Sequence, residues 1–87
     1  MSKQYTIKIT SSAQKEIKKL PPKEIARILP AIQNLAEEPR PSGCKKLVGS
    51  KNYYRIRIGD YRVLYMIEDT IRIVEVSGVR HRREAYE

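Results

Sequence analysis

The stretch from Tyr53 to Tyr65 constrains the fold more than any other part of the chain. Polar and apolar residues alternate on both sides of Gly59-Asp60, a pair typical of two-residue turns between antiparallel strands. The stretch therefore predicts a β-hairpin in which Arg57 lies opposite Arg62. Alternate residues of a strand share one face of the sheet. The residues that would form the core face of this hairpin are Tyr54, Ile56, Ile58, Tyr61, Val63 and Tyr65.

The second face of the predicted hairpin would carry arginines. Like charges directly opposite each other destabilise a sheet by up to ~1 kcal/mol per pair, so Arg57 and Arg62 would repel each other. A bound phosphate would relieve that repulsion, and the pattern therefore indicates an anion site. The alternative is that these arginines form a solvated outer face.

The basic residues are divided unevenly along the chain. The 87 residues, enough for one domain spanning 1–87, carry a formal net charge of +8. All nine lysines precede Tyr53, whereas seven arginines and no lysine occur from Arg55 onward. Arginine binds phosphate through a planar, bidentate fork that lysine lacks. The charge therefore favours nucleic acid as the partner, with an acidic protein second, and the C-terminal part as the contact surface.

Cysteine usage and the N-terminal residues indicate where such a protein would work. Cys44 is the only cysteine, so an intrachain disulfide and a thiolate metal cluster are both excluded. The N-terminal residues form no apolar stretch long enough for a signal peptide or a membrane span. We expect a cytoplasmic protein with no membrane partner, no metal and no cofactor.

The first part of the chain predicts one strand followed by two helices. Residues 5–9 alternate between apolar and polar, as in a strand with one buried face. Ser11 with Gln14 matches a capping box that would begin a short helix, and Pro21 would end it. A second helix would begin near Pro22, and Pro30 inside it predicts a kink. The apolar stripe of this second helix consists of Ile25, Ile28, Leu29, Ile32, Leu35 and Ala36.

The second part predicts strands and loops. Residues 37–43 indicate a loop, and residues 45–52 a basic, mobile connection before the hairpin. Residues 68–70 predict a turn, residues 71–76 a further strand, and residues 79–87 a short tail beside the arginine face. The chain is therefore predicted to be a small α+β protein: an N-terminal strand, two helices, then a three-stranded antiparallel meander with a C-terminal tail.

The available side chains limit the chemistry to two possibilities. No paired carboxylates, nucleophile beside a base, metal-ligand cluster or glycine-rich phosphate loop is present. The arginine face would either bind RNA only, or promote cleavage of RNA by its own 2′-hydroxyl. Arginine is a poor proton acceptor, so His81 or a tyrosine is the better candidate for proton transfer. The residues that would converge on a phosphodiester are Arg55, Arg57, Arg62, Tyr65, Arg80, His81, Arg82, Arg83 and Tyr86.

The hairpin from Tyr54 to Tyr65 and the tail from His81 to Tyr86 together resemble the RelE/ParE superfamily of bacterial toxins. The resemblance covers almost the whole chain. Similarity to the RelE branch implies a RelE-like fold and a cytoplasmic toxin of a type II toxin–antitoxin system. Such a toxin enters the ribosomal A site, cleaves mRNA there without a metal and is neutralised by a cognate antitoxin.

The resemblance also implies roles for strand residues. Arg55 and Arg57 stand at the two positions where well-studied RelE toxins have lysines, one of which is assigned as general base. Arg62 matches the arginine that stabilises the phosphate. Independently of the resemblance, Lys45 and Lys46 in the basic connection would either be solvated or steer and bind the RNA backbone.

The tail supplies the other expected site residues. Tyr86 matches the terminal tyrosine and would orient the nucleotide, while the tail arginine of the family corresponds to Arg80 or Arg82. Arg83 would add a phosphate contact. His81 is the leading candidate for proton transfer, because arginines replace the family's lysines.

Two other functions remain open at this point. In the ParE branch the same fold inhibits DNA gyrase through protein contacts and does not cleave RNA. ParE-like chains tend to lack the combined basic strand and tail residues found here, which favours the nuclease. A non-catalytic RNA-binding module is the third possibility.

Overall fold

Two helices cover one face of a five-stranded sheet in the computed structural model, which describes residues 4–81 and residue 83. The elements are β1 (Thr6–Ile9), α1 (Ser11–Lys18), α2 (Pro22–Asn34), β2 (Lys45–Lys46), β3 (Tyr53–Ile58), β4 (Tyr61–Glu68) and β5 (Ile73–His81). The strands lie in the order β1-β5-β4-β3-β2, and only β1 and β5 pair in parallel. The predicted α+β fold, with its N-terminal strand, two helices and antiparallel meander, is confirmed.

The hairpin of β3 and β4 has the predicted register. Ile58 pairs with Tyr61, and Arg57 pairs with Arg62. Gly59 begins the turn with φ +61°, a left-handed conformation that glycine adopts without steric cost. The alternation of residues on both sides of the turn therefore specifies which side chains face the helices.

The core lies between the helices and this face of the sheet. Val63 and Tyr65 of β4 are fully buried against Ile28 and Ile32 of α2. The other predicted core-face residues pack partly buried around them, namely Tyr54, Ile56, Ile58 and Tyr61. Because side chains alternate along each strand, the arginines between these residues lie on the uncovered face.

The first helix begins differently from the prediction. Thr10, not Ser11, is the N-cap: it keeps an extended conformation, and its Oγ1 accepts a hydrogen bond from the amide of Ala13 (3.1 Å). Gln14 does not complete a capping box, because its side-chain amide donates to the carbonyl of Ile9 (2.9 Å). The second helix begins at Pro22 as predicted and continues without a break through Pro30.

Two segments predicted as loop or tail belong to the sheet. Lys45–Lys46, expected in a mobile connection, form an edge strand because they pair with Arg55 and Tyr54 of β3. The last strand begins at Ile73, since Arg72 has φ +55° and belongs to the preceding turn. The same strand continues past Gly78 to His81, so the predicted tail begins at least three residues too early.

Candidate functional site

A cationic pocket lies on the uncovered face of the sheet. It has a volume of about 160 Å³ and is lined by Gly43, Lys45, Arg55, Arg57 and Arg62. We call it the arginine pocket. It brings together three of the arginines that the sequence predicted at a phosphate site, and one of the two predicted lysines. Among residues 4–81 and 83, no acidic residue lines it.

Strand pairing explains why these side chains meet. Arg57 and Arg62 are direct cross-strand partners, and Lys45 is the partner of Arg55 on the other side of β3. Residues paired in this way point to the same face with Cβ atoms about 5 Å apart. Arg57 is held by a hydrogen bond from its Nε to the carbonyl of Gly59 (3.2 Å). These lining residues thus concentrate positive charge in the pocket, which suits an anion such as a phosphodiester.

Arg80 extends the same row of arginines by one strand. It pairs with Arg62, so Arg57, Arg62 and Arg80 lie side by side across β3, β4 and β5. Arg80 has an acidic partner: its Nε donates to Oε2 of Glu16 in α1 (2.8 Å). The other oxygen of Glu16 accepts from the amide of Val79 (2.8 Å).

His81 does not join the arginine pocket. It lies in a separate cavity of about 350 Å³, between α1 and the end of the sheet, with Tyr61 and Val79 among the lining residues. Its ring meets that of Tyr61 edge-on, with centroids 5.3 Å apart. The expected convergence of His81 with Arg62 is therefore wrong, because neighbouring residues of β5 point to opposite faces.

The remaining predicted residues are divided among several places. Tyr65 is fully buried, and its hydroxyl donates to the carbonyl of Pro39 (2.9 Å), so it does not reach the arginine face. Lys46 lines a second pocket, of about 290 Å³, which Arg55 also lines. Arg83 is exposed, and its amide donates to Nδ1 of His81 (3.3 Å). Arg82 and Tyr86 lie outside the described residues.

A polar cluster fixes the loop that leads to the pocket. Arg40 forms a bidentate ion pair with Asp69 (2.9 and 3.2 Å), and its Nε donates to the hydroxyl of Tyr54 (3.1 Å). The hydroxyl of Tyr5 donates to the same carboxylate (2.7 Å). The hydrogen bonds from Arg40 and then Tyr5 hold the pKa of Asp69 below its ordinary value. This cluster ties the loop before Gly43 to the β4–β5 turn.

Replacing Asp69 with Asn should make the stability of the protein depend less on pH in the acidic range. A carboxylate whose pKa is lowered by folding stabilises the folded state above its unfolded pKa, near 3.8. That contribution disappears as the pH falls through the lower folded pKa. At neutral pH we expect Asp69→Asn to cost about 1 kcal/mol or less, because the ion pair is exposed.

Thermal unfolding of the wild type and of Asp69→Asn, from pH 7 to pH 2, measures this effect. The melting temperatures should differ at pH 7 and converge in acid. Asp60→Asn is the matched control, because Asp60 is exposed in the hairpin turn and makes no side-chain hydrogen bond within residues 4–81 and 83. A difference in melting temperature between wild type and Asp69→Asn that stays constant at all pH values would contradict stabilisation by the ionised Asp69.

Two contributors to the site were missed by sequence reasoning. Glu16 holds Arg80 from a position 64 residues away, and no local pattern marks it except that it is the only acidic residue of α1. Gly43 lines the pocket with φ +93°. A glycine in a proline-rich loop indicates a turn but not which site the turn adjoins.

Within residues 4–81 and 83, no three His, Cys, Asp or Glu side chains are close enough together to hold a metal ion. Neither helix in this part is long and apolar enough to cross a membrane.

Comparison with known proteins gives consistent matches over nearly the whole chain. Residues 7–86 match the family model described as the ParE toxin of the type II toxin–antitoxin system parDE. The toxin RelG of Mycobacterium tuberculosis is 34% identical over 86 residues, covering 94% of this chain and 95% of RelG.

Solved structures agree with these sequence matches. The archaeal RelE–RelB complex from Pyrococcus horikoshii OT3 contains a chain that superimposes with a TM-score of 0.81 at 30% identity, covering 91% of this chain and 96% of that one. The isolated E. coli RelE toxin superimposes with a TM-score of 0.77 at 26% identity, covering 93% of this chain and 94% of that one.

Proposed function

The chain belongs to the RelE/ParE superfamily and is a RelE-type toxin of a toxin–antitoxin system, and we propose that it inhibits translation by cleaving mRNA in the ribosomal A site. The observation that carries this proposal is the arginine pocket. Its three arginines and one lysine, with no acidic lining residue among residues 4–81 and 83, favour an anion such as a phosphodiester over a neutral ligand.

The proposed reaction needs no metal. The 2′-hydroxyl of the nucleotide before the scissile bond loses its proton and attacks the adjacent phosphorus. A 2′,3′-cyclic phosphate forms, and the 5′-oxygen of the next nucleotide leaves with a proton. The phosphate carries extra negative charge in the transition state, and Arg62, with Arg55 and Arg57 beside it, would stabilise that charge.

Proton transfer is a separate requirement. None of the residues that line the arginine pocket is an ordinary base at neutral pH, so charge stabilisation is the role that we assign to the pocket. Proton transfer by His81 stays a prediction, as do the roles of Arg82 and Tyr86. Lys45, Lys46 and Arg83 would add attraction for the RNA backbone.

The proposed partners are the ribosome, mRNA and a cognate antitoxin. Structural neighbours of this chain from P. horikoshii and M. tuberculosis are toxins solved in complex with an antitoxin. We propose that this chain likewise has a cognate antitoxin, with an acidic or amphipathic segment suited to its +8 charge, and that it acts in the cytoplasm.

Mapping of RNA ends in a reconstituted translation reaction tests the proposed function. We expect new 5′ ends within A-site codons that require ribosomes and carry a 5′-hydroxyl, because 2′-hydroxyl attack leaves that group. An mRNA with a single 2′-deoxy nucleotide at the cleavage site should resist cleavage at that position only. Intact mRNA with folded protein, or cleavage of the 2′-deoxy substrate, would contradict the proposal.

Inhibition of DNA gyrase is the second candidate. The family model that matches residues 7–86 bears the ParE name, which favours this alternative. A supercoiling assay with purified gyrase separates the two functions. Inhibition of supercoiling, together with intact mRNA in the translation reaction, would establish gyrase as the target.

A further inference from the structure

Glu16 connects the first helix to the edge of the arginine face. Strand β1 ends at Ile9, whose pairing partner on β5 is Val76, so no strand of the described residues lies beside the later residues of β5 on that edge. The carboxylate of Glu16 occupies this place. Its Oε1 accepts from the amide of Val79 and its Oε2 from Nε of Arg80, both at 2.8 Å.

The bond to the Val79 amide fixes the carboxylate, and the carboxylate in turn fixes Arg80. Arg80 uses only Nε for this contact. Within residues 4–81 and 83, its two terminal nitrogens make no other hydrogen bond or ion pair. They remain available for a second acceptor.

Gly78 gives the Arg80 side chain its path across the sheet. A Cβ at Gly78 would lie 3.4 Å from Nη2 of Arg80, so the guanidinium lies directly over this glycine. Residues two apart on a strand share a face, and Arg80 is the cross-strand partner of Arg62. The guanidinium therefore lies on the same face as the arginine pocket.

We propose that Glu16 is a positioning residue for RNA binding: it holds Arg80 by Nε so that the terminal nitrogens of Arg80 bind an RNA phosphate beside Arg62. This inference rests on the proposed function, because it assumes that RNA occupies the arginine face. An arginine held in one rotamer loses less conformational freedom when it binds phosphate. Glu16 is thus a negative residue that strengthens the binding of a polyanion.

The opposite effect is expected if Glu16 acts only through its charge. A carboxylate beside Arg80 would then compete with phosphate, and its removal would strengthen RNA binding. The sign of the effect of Glu16→Gln separates the two roles. Glutamine retains an oxygen that can accept from the Val79 amide, but its second side-chain group is a donor and cannot hold Nε of Arg80.

Binding of a short fluorescein-labelled single-stranded RNA, measured by anisotropy over a range of salt concentrations, provides the test. We expect Glu16→Gln to weaken binding by about threefold to tenfold, although it makes the protein more positive. The slope of log affinity against log salt should fall by up to about one, as for the loss of a phosphate contact. The matched control Glu24→Gln changes the charge equally on α2, where the carboxylate lies 3.7 Å from Arg27, and should not weaken binding.

Coupling to Arg80 shows whether Glu16 acts through that residue. In an Arg80→Ala background, Glu16→Gln should cause no further loss of affinity. Arg80→Lys leaves the Glu16–Val79 bond intact but should bind RNA nearly as weakly as Arg80→Ala. A single ammonium cannot both bond to Glu16, as Nε does, and bind the phosphate, as the terminal nitrogens do. This second variant tests the proposal even if Glu16→Gln unfolds.

The outcomes separate this inference from the proposed function. Wild-type affinity or stronger binding in Glu16→Gln, additive losses in the double variant, or wild-type affinity in Arg80→Lys would each overturn the positioning role while leaving the RNA site intact. Absence of RNA binding by the wild-type protein would instead overturn the RNA site and, with it, the role of Glu16.

Discussion

Replacing Arg62 with alanine is expected to lower the rate of A-site mRNA cleavage by about two to three orders of magnitude, the loss typical of removing one preorganised donor to a transition-state charge. Arg62 occupies the middle of the arginine row, with Arg57 on one side and Arg80 on the other. Its loss therefore removes the cation that is the cross-strand partner of both neighbours. The rate under single-turnover conditions, with ribosomes in excess, measures the effect.

The same substitution should not destabilise the fold. Arg62 is on the uncovered face and makes no ion pair within residues 4–81 and 83, and its removal relieves repulsion from Arg57. The melting temperature of Arg62→Ala should therefore equal or exceed that of the wild type. A large loss of cleavage with a lower melting temperature would point to misfolding and not to a role in the reaction.

Arg72→Ala is the matched control for Arg62→Ala. Arg72 is an exposed arginine in the β4–β5 turn, at the opposite end of β4 from the arginine pocket. Its removal lowers the net charge by the same amount and should leave the cleavage rate within about twofold, since a distant surface charge contributes little at physiological salt. Equal losses in both variants would mean that total charge, and not the position of Arg62, determines activity.

The hairpin could be predicted from sequence because its signals are local. Alternation on both sides of Gly59-Asp60 specifies the strand register, and the register places Arg57 opposite Arg62. The same alternation predicted that Tyr65 faces the core. These features require only residues that are neighbours in the chain.

The rest of the candidate site depends on contacts between distant segments. Lys45 joins the arginine pocket because it pairs with Arg55, and two basic residues between loops give no strand signal. Ser77-Gly78 resembles a turn, yet here the glycine allows the Arg80 guanidinium to lie over the strand. His81 was assigned to the arginine face because the strand was expected to end before it. The strand instead continues with a bulge at Ser77, because Tyr65 pairs with Val76 and Leu64 with Gly78. This shift of register directs Arg80 to the arginine face and His81 to the other side.

Replacing Ile32 with alanine should cause the largest loss of stability among the variants considered. Ile32 lies on α2, is 1% exposed and packs in the core between that helix and the sheet. Truncation of a buried isoleucine removes favourable burial and leaves a cavity, at a cost of about 2–5 kcal/mol. For a domain of this size, a cost of about 3 kcal/mol corresponds to a melting temperature roughly 12–24 °C lower. Thermal unfolding, followed by circular dichroism, measures this decrease in melting temperature.

Ile71→Ala is the control that separates burial from residue type. Ile71 is 63% exposed in the β4–β5 turn, so the same truncation should change the melting temperature little. Ile32→Ala should also retain mRNA cleavage at low temperature, where the remaining stability keeps most molecules folded and the arginine pocket is unchanged. Arg62→Ala is expected to show the reverse, with stability retained and cleavage lost. If Ile32→Ala lost cleavage while still folded, the core beneath the sheet would have to control the geometry of the arginines above it.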